Sequence, residues 1–311
     1  MAALAPDVVT RGAEIDLGGG GPPHPGVSFE AGPSRLRRFF KSLELWLPVG
    51  ILIFIVLVCF LWPEIHTIPA PINGNLLDAN LPFFTKSTLY GHHILGTDTL
   101  GNDIMSEILY GGRTSMEVGL GVAVIGFGIG GTLGVIAGYM GGALEAVVMR
   151  ILDMFLAFPA LVIAITIVTY LGQSEMHVIW AIAFFAIPAY ARLSRATTLR
   201  IKDQTFIVAS RLSGASDKRI LFKHIAPNVA PQLLTFSFLG IGVYIIVEAT
   251  LSFLGYGLPS NVPSWGKMIA NGQIFLATEP RLVLVPSACL FILIISLNLT
   301  SDALRARWGS Q

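Results

Sequence analysis

The sequence predicts an all-α membrane protein with six transmembrane helices. Of its 311 residues, 53% are hydrophobic and only 13% are charged, whereas charges occupy about a quarter of the positions in an ordinary soluble domain. The mean hydropathy of +0.71 points the same way. The apolar residues are gathered in long runs, and a helix needs about 20 mostly apolar residues to cross the hydrocarbon core. Together these observations exclude a soluble globular domain.

Six apolar runs approach or exceed the length of a membrane span. We predict transmembrane helices over residues 45–62, 115–140, 147–171, 178–193, 233–256 and 282–299. Residues 63–113 are predicted to form an external loop that is too short for a ligand-binding domain, and residues 114–304 a five-helix core. Trp46, Trp62 and Trp265 lie at or just outside the ends of these runs, where amphipathic rings prefer the membrane interface.

The distribution of basic residues predicts that both termini are cytoplasmic, because cytoplasmic loops carry an excess of Lys and Arg. Eight basic residues lie between positions 192 and 223, opposed by Asp203 and Asp217, whereas the basic residues of the opposite side are few and widely spaced. Residues 1–44 are predicted to be a disordered cytoplasmic tail with a basic end, and residues 305–311 a short cytoplasmic tail. An even number of spans follows, in agreement with six.

Glycine recurs at every fourth position of the second predicted span, at Gly126, Gly130, Gly134, Gly138 and Gly142. Residues i and i+4 stack on one helix face, so this stripe predicts close packing against the backbone of another helix. Three glycines of the span also match G-x-G-x-x-G. However, no strand precedes them and they lie in an apolar run, which argues against a nucleotide site.

The basic segment between the fourth and fifth predicted spans, residues 203–227, is rich in small residues. Phe206, Ala209 and Ser213 share one helical face, and Gly214 predicts a turn because glycine weakens a helix. A backbone covered by small side chains can lie close to a partner surface. An ordinary cytoplasmic loop, whose charges only set the topology, explains these residues equally well.

Gly214 and, thirteen residues later, Pro227 resemble the signature loop of ABC-importer permeases, commonly written E-A-A-x3-G-x9-I-x-L-P. In that family the loop forms a short helix crosswise to the membrane, which docks in a groove of the cytoplasmic ATPase and transmits the ATP cycle. Val208 and Ala226 replace the usual Glu and Leu, and the missing carboxylate puts one polar contact to the ATPase in doubt. The resemblance implies a coupling helix near residues 205–216 and the coupling residues Phe206, Val208, Ala209, Ser210, Arg211, Leu212, Gly214, Ala215, Ser216 and Pro227.

Further stretches resemble the dipeptide, oligopeptide and nickel permeases of that class, and they cover roughly residues 90–307 in the right order. The clearest is Leu-Gly-Thr-Asp at 95–98, followed by Gly101, Asn102 and Asp103, in which Asn102 replaces the usual Arg. The other stretches are residues 110–113, 248–255, 263–266 and 298–305. The chain is similar to the second, or C, permease subunit of such systems.

This resemblance implies a type I ABC importer permease-like fold in the bacterial cytoplasmic (inner) membrane, in a chain that is not itself an enzyme. The implied partners are a homologous permease subunit in a heterodimer, two P-loop ATPases that bind ATP and Mg²⁺, an extracytoplasmic solute-binding protein and the lipid membrane. Neither a cofactor in this chain nor a nucleic-acid partner is implied. The implied cargo is di- or oligopeptides, with nickel chelates, haem or glutathione-like solutes as alternatives.

Glu248 is an ionisable residue inside the fifth predicted span, and such a residue is a functional-site hypothesis by default. We therefore predict that Glu248 and Ser252 line the translocation pathway, with a hydrogen bond to a neighbouring helix as the alternative. No metal site is predicted, because the adjacent His92 and His93 have no Cys or carboxylate at ligand spacing. A gradient-driven secondary transporter, which normally shows internal repeats and several intramembrane ionisable groups, is the rival functional class.

Overall fold

The computed structural model describes residues 35–65, 74–86 and 92–308, with side chains from residue 45 onward except those of His92 and Trp308. Within these ranges the chain forms eleven α-helices and one two-stranded sheet. Of the tail predicted to be disordered over residues 1–44, residues 1–34 lie outside the described residues, as do the last three residues of the chain. Residues 35–44 differ from the prediction, because they form the start of the first helix, Arg35–Ile65. The all-helical membrane fold predicted from the apolar runs is confirmed.

The helices pack against one another as a bundle. They are α1 (Arg35–Ile65), α2 (Ile104–Ile125), α3 (Thr132–Met140), α4 (Gly142–Phe155), α5 (Ala160–Leu171), α6 (Glu175–Ile201), α7 (Thr205–Leu212), α8 (Asp217–Ile220), α9 (Ala226–Phe253), α10 (Trp265–Gly272) and α11 (Arg281–Trp308). Two π-helical turns, Gly126–Gly131 and Leu221–Ile225, join α2 to α3 and α8 to α9. The sheet pairs β1 (Thr85–Lys86) with β2 (His92–His93) in antiparallel register.

Five helical stretches of the described chain are long and apolar enough to span a membrane. They are Leu45–Ile65, Ile104–Met140, Glu175–Ile201, Asp217–Phe253 and Arg281–Arg307. The predicted third span is not one straight helix, because α4 and α5 are bent by 79° relative to each other. Pro159 stands at the break, since proline cannot donate to a helical hydrogen bond and disfavours the helical conformation of Phe158 before it. The number of spans is six if this bent pair is counted as one.

The predicted external loop over residues 63–113 is too long at both ends. Helix α1 continues to Ile65, and α2 begins at Ile104, where the carboxylate of Asp103 accepts from the backbone N of Ser106 at 2.8 Å and caps the helix. Hydropathy alone placed the start of this span at residue 115. The error has a physical reason, since Arg113 Nε donates to Glu117 Oε1 at 3.0 Å and this pair lets charged residues lie on the helix.

The fourth predicted span, residues 178–193, is too short for the same reason. Helix α6 continues past it to Ile201 and carries two arginines that reach acidic residues of α4. Arg192 Nη2 donates to Asp153 Oδ1 at 2.6 Å, and Arg195 forms an ion pair with Glu145. Because these charges are paired between helices, they do not end the helix as a hydropathy criterion assumes.

The glycine stripe packs against α6 as its spacing predicts. At Gly130 a Cβ would lie 2.3 Å from the carbonyl O of Ile187, and at Gly134 it would lie 2.1 Å from the carbonyl O of Ala191. No L side chain tolerates such distances, so the absence of a Cβ sets the separation of the two helices. The stripe ends before Gly142, which begins α4 with φ +60°. A Cβ added to Gly142 would have no other atom within 4 Å. The glycines in contact with α6 are Gly126, Gly130, Gly134 and Gly138.

Trp265 does not mark the membrane interface, in contrast to the sequence-based expectation. Its side chain is 1% exposed and its Nε1 donates to the carbonyl O of Ile108 at 2.9 Å. The backbone N of the same residue donates to Ser115 Oγ at 3.3 Å. Helix α10 therefore inserts into the bundle and packs against α2, α9 and α11, with Cys59, Met268 and Leu293 in the same apolar cluster.

Candidate functional site

The segment that resembles a coupling loop forms a separate short helix, α7, between the ends of α6 and α8. It begins after Gln204, whose backbone carbonyl accepts from the N of Ile207 at 2.9 Å. Ile207 is the one buried residue among the eight of α7. It packs into the apolar core of the bundle beside Ile201 and Ile220. The helix is thus fixed by a single apolar anchor while the rest of its surface is open.

Gly214 ends this helix in a Schellman motif. Its backbone N donates to the carbonyl O of Arg211 at 3.0 Å, and the N of Ala215 donates to the carbonyl O of Ser210 at 3.1 Å. The motif requires a left-handed residue, and Gly214 has φ +78°. The turn predicted at this glycine is confirmed, and it directs the chain into α8 instead of extending α7.

The open side of α7 is apolar. Val208 and Leu212 are 44% and 84% exposed, and Ala209 lies between them on the same side of the helix. Two serines of the segment form hydrogen bonds within it, since Ser210 Oγ donates to the carbonyl O of Phe206 and Ser213 Oγ to that of Ala209. Val208, Ala209 and Leu212 therefore form an exposed apolar face on α7.

An aromatic residue that sequence reasoning missed joins this segment to the glycine-rich helix. Tyr139, at the end of α3, donates from its hydroxyl to Asp217 Oδ1 at 2.5 Å. The guanidinium of Arg211 lies 5.9 Å from the centroid of the same ring, a cation–π arrangement. Lys202 Nζ donates to the carbonyl O of Gly138 at 3.3 Å. The sequence could have indicated this contact, because Tyr139 is an aromatic residue at the end of a predicted span.

Of the remaining predicted coupling residues, three occupy the connection from α7 to α9. Ala215 is half-buried against the core, and Ser216 precedes α8 as its N-cap without a side-chain hydrogen bond. Pro227 is exposed and lies in the first turn of α9. The structure therefore brings all ten predicted coupling residues to one end of the bundle.

Glu248 lies inside the bundle and is fully buried. Its Oε1 accepts from Ser252 Oγ at 2.8 Å and from Ser264 Oγ at 2.9 Å, and its Oε2 accepts from Ser115 Oγ at 3.4 Å. These three serines belong to α9, to the residue before α10 and to α2. The contacts support the alternative that Glu248 joins neighbouring helices, and they give no geometric support to a pathway role for Glu248 or Ser252.

We expect Glu248→Leu to lower the thermal midpoint of the purified protein, because it leaves the buried serine hydroxyls without their acceptor. Each unsatisfied buried hydroxyl costs about 1–3 kcal/mol. The midpoint is measured by size-exclusion chromatography of heated, detergent-solubilised protein. Thr250→Val, on the same helix, is the control, since Thr250 Oγ1 bonds only the carbonyl of Ile246. Normal stability of Glu248→Leu combined with lost uptake would restore the pathway hypothesis.

The Leu-Gly-Thr-Asp stretch and its neighbours stabilise the fold of the segment before α2. Asp98 accepts from the backbone N of Leu100 and of Asn102 at 2.8 and 2.7 Å, and from Asn102 Nδ2 at 2.9 Å. Asn102 Oδ1 in turn accepts from the backbone N of Gly74 at 2.9 Å. Asn102, the residue that departs from the usual pattern, is therefore a structural bridge in this chain.

The same segment contains a buried histidine–carboxylate pair that spacing did not reveal. His93 Nδ1 lies 2.8 Å from Asp103 Oδ1, and both side chains are buried. The antiparallel sheet and the helix cap bring these residues together although ten positions separate them. Within the described ranges no group of three or more His, Cys, Asp or Glu side chains is arranged to hold a metal ion.

Two cations bind the backbone of the segments that precede α2 and α10. Arg281, at the start of α11, donates from Nη1 to the carbonyl O of Leu81 at 2.7 Å. Lys267 Nζ donates to the carbonyl O atoms of Pro259 and Ser260 at 2.7 Å each, and to that of Val262 at 3.3 Å. Burial lowers the pKa of Lys267 below its ordinary value, and the nearby Glu107 carboxylate opposes that shift. Both cations are engaged with backbone and are not free to bind a solute.

Comparison with known proteins agrees with this architecture. Residues 130–308 match the family model described as binding-protein-dependent transport system inner membrane component. The chain is 41% identical over 213 residues to the glutathione transport system permease protein GsiD of Pectobacterium atrosepticum, covering 68% of this chain and 71% of that protein. It is 37% identical over 213 residues to the dipeptide transport system permease protein DppC of Alkalihalophilus pseudofirmus, covering 68% and 70%.

The fold is also similar to a solved transporter. A chain of the inward-facing MetNI methionine ABC transporter superimposes with a TM-score of 0.55 at 19% identity, covering 65% of this chain and 97% of that chain. At this identity the likeness concerns the fold, which is of the type I importer class. The family model covers more than half of the chain and the relatives exceed 30% identity over two thirds of it, so this chain belongs to the inner-membrane components of binding-protein-dependent transport systems, the permeases of ABC importers.

Proposed function

We propose that this chain is the second permease subunit of an ABC importer for di- and oligopeptides, and that α7 couples it to a cytoplasmic ATPase. The observation that carries the coupling proposal is the exposed apolar face of α7, formed by Val208, Ala209 and Leu212. Ile207 and Tyr139 hold this helix on the bundle. If an ATPase displaced α7, the movement would therefore be transmitted to the helix bundle through α3 and α6.

The same proposal sets the orientation in the bacterial cytoplasmic membrane. With α7 on the cytoplasmic side, both termini, residues 1–44 and 305–311, are cytoplasmic, and the segment before α2 faces outward. This orientation agrees with the excess of basic residues around α7 and α8. It also leaves the outer segment and α10 on the side from which a solute-binding protein would deliver cargo.

The proposed assembly contains a homologous permease subunit, two P-loop ATPases and an extracytoplasmic solute-binding protein. ATP and Mg²⁺ would bind to the ATPases, and this chain would supply the coupling helix and half of the translocation path. The apolar clefts along the bundle offer surfaces for a second permease; one of about 440 Å³ is lined in part by Val124, Phe127 and Phe238. Such a heterodimer would place the path between the two permeases.

The proposed cargo follows from the two relatives. One is named for glutathione transport and the other for dipeptide transport, and both solutes are short peptides with free carboxylates. A peptide of two or three residues is therefore the cargo that we propose. Nickel chelates and haem find no comparable support in the relatives compared above.

Affinity purification of the full chain in mild detergent, followed by mass spectrometry, tests the proposed assembly. We expect a second permease and P-loop ATPases to co-purify. The purified assembly, reconstituted with its binding protein, should import a radiolabelled dipeptide when ATP is present inside the vesicles. Unlabelled glutathione in excess tests whether one binding protein serves both solutes.

Two results would overturn this proposal. A chain that purifies without any ATPase and transports solute alone would be a different kind of carrier. Uptake that collapses with an ionophore but does not respond to ATP would identify a gradient-driven transporter. ATP-dependent uptake of a nickel chelate with no uptake of peptide would retain the importer and correct only the cargo.

A further inference from the structure

A cleft at the α7 end of the bundle contains two arginines without partners. The cleft has a volume of about 570 Å³ and lies where α6 and α11 end and α9 begins. Within the described part of the chain, neither Arg200 nor Arg305 makes an ion pair or a side-chain hydrogen bond. By contrast, Arg192 and Arg195 on the same helix each pair with an acidic residue of α4. The two free guanidinium groups therefore face a shared cavity.

The other polar groups of this cleft are held in place by contacts between helices. Thr197 Oγ1 lies 2.7 Å from Gln232 Oε1 and 2.9 Å from the carbonyl O of Leu193, and this contact between α6 and α9 holds the Gln232 amide beside the cleft. Ser301 Oγ donates to the carbonyl O of Thr235 at 2.9 Å and ties α11 to α9 beside it. No carboxylate is among the described residues that line the cleft. Donors without an opposing acid are a site for an anion, and guanidinium groups suit phosphate and carboxylate oxygens.

An apolar groove adjoins this cationic cleft. It has a volume of about 310 Å³ and is lined by residues of α5, α6 and α9, including Phe185, Leu239 and Val243. Phe236 lines both cavities, and on α6 the groove residue Ala189 lies one helical turn from the cleft residue Leu193. The two cavities therefore follow one another along α6 and α9, with the cationic end toward α7 and the apolar end toward the middle of the bundle.

We propose that the cleft and groove together bind one anionic phospholipid. Its phosphate would lie between Arg200 and Arg305, and an acyl chain would follow Phe236 toward Leu239 and Val243. An acyl chain needs no hydrogen-bond partners, whereas the peptide groups of a cargo molecule would be left unsatisfied in an apolar groove. Basic pockets between transmembrane helices on the cytoplasmic side are typical sites for anionic lipid headgroups. The proposal is independent of the cargo and of the coupling role of α7.

Native mass spectrometry of the full chain, exchanged into detergent with added lipid, tests this site. The probes are dioleoyl phosphatidylglycerol, dioleoyl phosphatidylcholine and glycerophosphoglycerol, which has the anionic headgroup but no acyl chains. We expect phosphatidylglycerol to bind with the highest affinity. Arg200→Gln and Arg305→Gln should each weaken it about fivefold, and the double variant about 30-fold. Arg150→Gln/Arg219→Gln is the matched control, since both residues are exposed and lie outside the cleft.

Each other outcome contradicts the proposal in a distinct way. Equal loss of lipid in the control would mean a nonspecific charge effect, and equal binding of phosphatidylglycerol and phosphatidylcholine would exclude an anionic site. Binding of glycerophosphoglycerol as strong as that of the full lipid would exclude the acyl-chain groove. Displacement of the lipid by a dipeptide at matched concentration would assign the arginines to cargo. Because lipid binding is read without ATP or partners, its failure is distinguishable from a failure of the importer proposal.

Discussion

Gly134→Ala is expected to lower the thermal midpoint of the purified chain by roughly 2–8 °C, although it adds a single methyl group. The new Cβ would lie 2.0 Å from Ser194 Oγ and 2.1 Å from the carbonyl O of Ala191. The serine side chain is short and the carbonyl belongs to the α6 backbone, so neither can move aside alone. Relief requires α3 and α6 to separate, which weakens packing along the whole stripe.

Gly128→Ala is the matched control for this experiment. Gly128 lies in the same span, and a Cβ at that position has no atom within 4 Å. Both substitutions replace a glycine of the same helical span with alanine, although Gly128 lies in the π-helical turn and Gly134 in α3, so the difference between their midpoints reports chiefly the packing at Gly134. The midpoints are measured side by side by chromatography of heated samples. If Gly134→Ala were as stable as Gly128→Ala, the close contact of the glycine stripe with α6 would be refuted.

Leu212→Glu and Ala209→Glu are expected to abolish most ATP-driven uptake while leaving the chain folded. Leu212 is 84% exposed and Ala209 is exposed on the same face of α7, so a carboxylate there costs little in the isolated chain. On an apolar docking surface, however, the carboxylate would be desolvated without a partner. The loss of one central contact weakens an interface by about 2 kcal/mol or more, which is roughly 30-fold in affinity. The measurements are peptide uptake in reconstituted vesicles and the amount of ATPase that co-purifies.

Two further variants serve as controls for this experiment. Ala143→Glu places the same new charge at an exposed position of α4 and should leave uptake and ATPase binding unchanged. Ile207→Glu buries a charge at the anchor of α7 and should reduce the yield of folded chain. Normal uptake and ATPase recovery in Leu212→Glu and Ala209→Glu would exclude α7 as the coupling surface.

Local patterns in the chain predicted a large part of the fold. The apolar runs, the four-residue spacing from Gly126 to Gly138 and the turn at Gly214 each depend on residues close together in sequence. The predicted helix boundaries were wrong where a helix continues through charged residues. Those charges are tolerated because they are paired. Arg113 pairs with Glu117 within α2, and Arg192 pairs with Asp153 of α4. A hydropathy profile treats each charge as unpaired, so it ended α6 too early and began α2 too late.

The features of the candidate site were also predictable only where their residues lie close together in sequence. The short helix and its terminal turn could be predicted because the small residues, the glycine and the proline of residues 203–227 lie within 25 positions of each other, and the coupling role of this segment stays a prediction. The role of Glu248 could not, since its acceptor oxygens meet Ser115 and Ser264, which are 133 and 16 positions away. The cationic cleft likewise joins Arg200 to Arg305 through the ends of two helices. A single sequence does not indicate which distant side chains will share a cavity.

The sequence by itself determined a six-span helical membrane protein with a glycine-striped second span and a short helix within a basic segment between the fourth and fifth spans. These features follow from backbone geometry and from transfer of side chains into lipid, which act on nearby residues. Only the tertiary structure decided that Trp265 is buried, that Glu248 is enclosed by three serines and that Arg200 and Arg305 face one cleft. Those outcomes depend on how helices pack, and packing energy arises from contacts between residues that the chain order keeps far apart.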